Sequence, residues 1–118
     1  MLPSSPRLVR DRITRAELAE LASAAFGDMV KAVVDLERRI MAVAGELHAD
    51  EETLLLDEGS TQSDLWGINL YPAEKGDGFI EFDSMINVRP RQGNPSRDVL
   101  DDGTRTRIRA VVSQLVGE

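Results

Sequence analysis

Cysteine is absent from the 118-residue chain, which excludes disulfides and thiolate metal sites and leads us to expect a reducing, cytoplasmic setting. Histidine occurs once, as His48. A single imidazole is thin provision for a transition metal, and no serine has a histidine close by in the chain to build a nucleophilic triad. Aromatic residues are scarce, with one Trp, one Tyr and three Phe, too few for a sugar-stacking platform. No apolar run approaches the ~20 residues of a membrane span. The opening, MLPSSPRLVRDR, places prolines and arginines where a signal peptide needs an apolar segment. Positive charge is also in deficit: 14 Lys plus Arg against 21 Asp plus Glu give a net charge of −7. That overall field repels a phosphate backbone, so neither general nucleic-acid binding nor a membrane partner is expected.

What is present is one domain's worth of chain, long enough to bury roughly two-thirds of the surface that it exposes when unfolded. The most informative stretch runs from Phe79 to Asn94, FIEFDSMINVRPRQGN. Its alternation predicts a central strand with Ile80, Phe82, Ser84, Ile86 and Val88 on a core face and Phe79, Glu81, Asp83, Met85, Asn87 and Arg89 on a mostly polar one. An acid pair, an amide and an arginine on that second face, followed by a loop rich in arginine, are unusual for a merely solvated strand.

Around it the chain reads in order. Residues 1–12 form a tail, mobile through the Pro- and Ser-rich start, with a possible short edge strand from Leu8; residues 13–118 form a single α+β domain. Thr14 with Glu17 makes a capping box for a helix to about Ala25. The segment DMVKAVVDLERRIMAVAGELH suits a helix stripe too, but its β-branched VKAVV and IMAV runs and the polar break from Asp35 to Arg39 favour a hairpin. The second strand of that hairpin is expected to continue through His48. Asp50 then reads as the N-cap of a short helix closed by Gly59. Leu65 to Tyr71 pairs with the central strand, and pairing of Leu70 with Ile80 sets Asn69 opposite Glu81 and Gly67 opposite Asp83, leaving space beside that aspartate. Trp66 is expected in the core with Ile68, Ile80 and Phe82. Asp101 or Asp102 caps a last helix whose Ile108, Val111, Val112 and Leu115 form one stripe. The expected fold is helix, hairpin, helix, hairpin, helix: a four-stranded, mainly antiparallel sheet with the helices packed on one face.

Three separated stretches, ELHADEE, DLWGINLYP and IEFDSMINVRPRQGNPSR, resemble a small prokaryotic family that is a domain of unknown function. The likeness runs from about Ile13 to Val116 and brings no established activity, cofactor or catalytic residue. The family pattern has a double glycine before ELHAD, where this chain has Ala44 and Gly45, and a basic residue where this chain has Pro95.

Three constellations are candidate sites. Glu46, His48 and Asp50 alternate, so a continued strand projects them from one face as an oxygen, nitrogen, oxygen set that Asp83 completes around a divalent metal; the plainer alternative is a hydrogen-bonded strand end. Glu81 and Asp83, two residues apart on one face, suit paired acid and base work, or simple ion pairs with Arg89 and Lys31. Arg89, Arg91 and Arg97 bracket Asn94 and Ser96, which with Gly93 supply what a phosphate or carboxylate needs; the plainer alternative is that the arginines tie down neighbouring acids. The expected function is a non-catalytic binding or interaction module that presents the polar sheet face and the arginine loop to a small anion or a protein partner, with no cofactor. The alternative is a small metal-dependent hydrolase using Glu46, His48, Asp50 and Asp83. An exposed polar sheet face also suits a homodimer.

Overall fold

The β-branched runs VKAVV and IMAV, with LWGINL, form the middle of a five-stranded sheet in a computed structural model that describes residues 5–118. In chain order the elements are β1 (Arg7–Val9), β2 (Ile13–Thr14), α1 (Arg15–Ser23), β3 (Val30–Asp35), β4 (Ile40–Val43), α2 (His48–Asp57), β5 (Leu65–Leu70), β6 (Ile80–Glu81), α3 (Asp102–Leu115) and β7 (Val116–Gly117). The sheet order is β1-β4-β3-β5-β6, antiparallel throughout. β2 and β7 make a separate parallel pair that ties the two ends of the domain together.

The expected α+β class and the antiparallel sheet are present, with two corrections. The sheet has five strands rather than four, because Arg7, Leu8 and Val9 pair with Val43, Ala42 and Met41. The expected tail therefore ends before Arg7, and residues 1–4 of it lie outside the described residues. The helices also cover both faces instead of one. Leu18 and Ala22 of α1 and Ile108, Val111, Val112 and Leu115 of α3 pack on Val34, Met41, Val43, Trp66 and Ile68. Leu55 of α2 packs on Val33, Ile40, Ala42 and Leu65 on the other side. The physical reason is that β3 and β4 are apolar at nearly every position, and a strand buried on both faces needs a cover on each. Trp66 is 7% exposed and belongs to the α1–α3 side with Ile68, Ile80 and Phe82.

The caps read from the sequence are in place at two helices. Thr14 and Glu17 exchange side-chain and backbone hydrogen bonds at α1, and the Asp101 carboxylate accepts from the Thr104 N–H at α3. The β5–β6 register pairs Leu70 with Ile80 and Asn69 with Glu81, as expected.

The central strand, however, stops at Glu81. Gly67 is the reason: a Cβ there would lie 2.5 Å from the Ser84 Cβ. The chain uses the missing side chain to cross onto the α2 side, so the space expected beside Asp83 is filled by Ser84 and Ile86. Ile86 joins the α2-side cluster, while Met85 and Val88 are exposed. Fully buried Asn87 then stands in for the strand. Its Oδ1 accepts the Gly67 N–H at 2.8 Å, and its Nδ2 donates to the Gly67 carbonyl at 2.9 Å and to the Arg97 carbonyl at 3.0 Å. A primary amide offers the donor and acceptor that a peptide unit offers, so β5 keeps its pairing while the chain leaves the sheet.

Candidate functional site

β4 ends at Val43, and the next four residues turn the chain into α2. Ala44 takes φ 69°, a left-handed conformation in which an L side chain is strained and glycine is not. At Gly45 a Cβ would lie 2.9 Å from the Glu51 Cγ, so the bare backbone makes room for a carboxyl that folds back beneath it. Glu51 is fully buried, with Oε2 accepting the Gly45 N–H at 2.9 Å and Oε1 unpartnered among the described residues. Burial pushes the Glu51 carboxyl well above its ordinary range, against the opposing pull of the Gly45 N–H and Lys31.

This turn starts α2 at His48, capped by Leu47 with no side-chain hydrogen bond. Two expectations are corrected here. Asp50 lies inside the first turn and is not the N-cap, and Glu46, His48 and Asp50 do not alternate on a strand. Glu46 and Asp50 are exposed, and no three His, Asp or Glu side chains gather as a metal set among the described residues.

His48 instead turns inward, its Nε2–H donating to the Ile68 carbonyl at 2.8 Å. That bond sets the neutral tautomer and leaves Nδ1 as an acceptor. Burial holds the imidazole below its ordinary pKa of 6.5, helped by the Lys31 charge and opposed by the Ile68 carbonyl, Asp83 and Asn69.

Beside His48 lies a cleft of about 210 Å³ between the start of α2 and the segment that crosses Gly67. Its polar lining is Lys31, His48, Ser84 and Arg97, and Leu47 and Met85 form an apolar rim, 56% and 65% exposed. Lys31 has no carboxylate within 4.0 Å among the described residues, and its ammonium lies 5.0 Å from the Phe26 ring centroid. Arg97 binds Asp83 through Nε at 2.7 Å, an arrangement that leaves its terminal nitrogens without a protein partner among the described residues. Two cations thus line the cleft, one of them paired with Asp83, and the histidine can add a third positive charge.

A family model described as "Protein of unknown function (DUF5674)" matches residues 7–115, from β1 through the last residue of α3. The chain belongs to the DUF5674 family. No curated protein and no solved structure matches it. The matched span of this DUF5674 chain includes every residue of the His48 cleft.

The other expected site residues of the DUF5674 chain are dispersed. Arg89 points inward, where its guanidinium stacks 4.2 Å from the Trp66 ring centroid and donates to the Gln62 and Leu65 carbonyls. Buried Asn94 uses Nδ2 on the carbonyls of Asn87, Ser96 and Asp98 and Oδ1 on the Leu100 N–H. Ser96 accepts the Asp98 N–H. Arg91 is exposed. Arg89 and Asn94 thus hold the loop, because a planar guanidinium and an amide can satisfy several carbonyls that the irregular chain leaves unpaired. Glu81 accepts from Asn69 Nδ2 at 2.9 Å and from the Tyr71 hydroxyl at 3.1 Å, while Asp83 is held by Arg97. The two carboxylates thus have separate partners and do not share one. Lys31, Ser84 and the buried Asn69 and Glu51 are additions that the sequence reading missed. Only Lys31 carries a local signal, as the one charge inside a buried apolar run.

Proposed function

We propose that this protein is a non-catalytic binding module for a small phosphate- or carboxylate-class anion, held in the cleft beside the start of α2 by Lys31, Arg97 and the protonated form of His48. The observation that supports it is the pairing pattern: in a chain of net charge −7, Lys31 lines this cleft with no carboxylate partner and Arg97 has no partner for its terminal nitrogens among the described residues. Guanidinium and ammonium groups in a partly desolvated cleft recognise oxyanions through charge-assisted hydrogen bonds. The Ser84 hydroxyl adds a further donor, and Nδ1 of His48 becomes one on protonation. The cleft holds the equivalent of about seven waters at roughly 30 Å³ each, enough for an inorganic oxyanion or a short organic one. A binding role is favoured over catalysis because His48 Nε2, Glu81 and Asp83 are already committed to protein partners.

The test is thermal unfolding in sulfate against chloride at matched ionic strength. Sulfate should stabilise the protein by about 1 kcal/mol at roughly five times its dissociation constant, and Lys31→Gln and Arg97→Gln should each abolish that difference. Loss of the sulfate effect in Arg91→Ala alone would move the anion to the outer loop with Ser96. Equal stabilisation by both salts would leave these cations a purely structural role.

A further inference from the structure

On the opposite side of the sheet, where α1 and α3 lie, a second cleft of about 180 Å³ opens between β6 and α3. Two arginines face it. Arg15 lies 4.0 Å from the Phe79 ring centroid, donates to the Pro72 and Glu74 carbonyls, and binds the Glu118 carboxylate through Nε at 3.1 Å. Arg109 lies 5.1 Å from the Phe82 centroid and has no hydrogen bond or ion pair to protein among the described residues. Stacking on a ring orients a guanidinium without consuming its donors, and Arg109 is left with its full fork available. Between the arginines, partly buried Ile80 and Val116 supply a small apolar surface over the buried Val112.

Glu118 shows what chemistry Arg15 accepts. Its side chain is 86% exposed while that of Arg15 is 22% exposed, so the carboxylate can leave for solvent while the guanidinium stays in place. An external carboxylate placed between Arg15 and Arg109 gains a second guanidinium that Glu118 does not engage, and a small apolar body attached to it covers Ile80 and Val116. The volume, about six waters at roughly 30 Å³ each, suits a short chain. We infer that this cleft is a binding site for a small amphipathic carboxylate, bridged by Arg15 and Arg109, with Glu118 as the built-in competitor that the ligand displaces. The site shares no residue with the His48 cleft and does not depend on the reading given to it.

The experiment is an NMR titration of the labelled full chain with hexanoate, following backbone amides, with hexanamide and inorganic phosphate as the other arms. Hexanoate should give saturable shifts at Ile80, Val112, Ser113 and Val116, and hexanamide and phosphate should not. Glu118→Gln should tighten hexanoate by about threefold, and Arg109→Gln should weaken it by about tenfold. Arg109 is exposed, so this variant retains the fold, and Arg97→Gln should leave the titration unchanged. Equal response to hexanamide, an unchanged affinity in Arg109→Gln, or loss of binding in Arg97→Gln would overturn the assignment.

Discussion

Replacing Glu51 with glutamine isolates the energetic consequence of a carboxyl that the fold keeps out of water. In the folded chain Glu51 is fully buried with a single hydrogen bond, and its carboxyl titrates well above the ordinary value of 4.5. When the chain unfolds the group returns to that ordinary value. Above pH 4.5 the unfolded state therefore releases a proton that the folded state retains. The stability linked to this group is fully present below pH 4.5 and falls by about 1.4 kcal/mol per pH unit until the folded pKa is reached. Glutamine keeps an oxygen for the Gly45 N–H and is neutral at every pH, so its stability carries no such slope. Below pH 4.5 the variant is the less stable form by about 1 kcal/mol, because its amide brings two N–H donors to the buried position where the neutral carboxyl has one O–H. Above it the difference shrinks and then reverses. Urea denaturation followed by Trp66 fluorescence, between about pH 4 and pH 7, measures both curves. A constant difference between the two proteins across that range would show that Glu51 is ionised in the fold and would refute the reasoning.

Asn87→Ala leaves the Gly67 N–H and carbonyl without the side chain that pairs them and the Arg97 carbonyl with the Ser84 N–H alone, and should cost about 3–5 kcal/mol in urea denaturation. A loss below about 1 kcal/mol would mean that water serves β5 as well as the amide does. Ala44→Gly relieves a residue held at φ 69° and should raise stability by about 0.5 kcal/mol, read as an increase in Tm. Trp66→Ala should cost about 3–5 kcal/mol, and the emission of the native protein should be blue-shifted and move red cooperatively in urea; a water-like native maximum would contradict the burial of Trp66.

Much of the fold was legible because its signals are local. The Thr14–Glu17 box, the Asp101 cap, the α3 stripe and the Asn69–Glu81 register each depend on residues a few positions apart or on a single hairpin. The alternation after Phe79 misled because a pattern of period two fixes which residues can face inward without fixing the backbone that carries them. Here Gly67 and the Asn87 amide let the chain leave the sheet after Glu81 while β5 stays paired. The placement of α2 was written in VKAVV and IMAV, whose near-continuous apolar character calls for cover on both faces, although the same runs were read only as evidence for strands. His48 was legible as a residue of interest but not in its role, since the start of α2 is set by Glu51 folding under Gly45, a contact between groups that no periodicity links. The arginine loop was ambiguous for a chemical reason. The fork that suits an oxyanion also suits backbone carbonyls and an aromatic face, and Arg89 takes the second option while Arg97 pairs with Asp83 through Nε alone among the described residues.

The anion reading turns on the cleft beside His48, and the imidazole reports on it directly. Without a bound oxyanion, burial and Lys31 hold His48 below its ordinary 6.5. An oxyanion bound by Lys31 and Arg97 favours the imidazolium, so by linkage it must raise the His48 pKa, just as lowering the pH must tighten the anion. NMR titration of the His48 ring protons in sulfate and in chloride at equal ionic strength should give a low midpoint in chloride and a raised one in sulfate, with the difference lost in Arg97→Gln. Identical midpoints in the two salts would contradict the assignment of this cleft as an anion site.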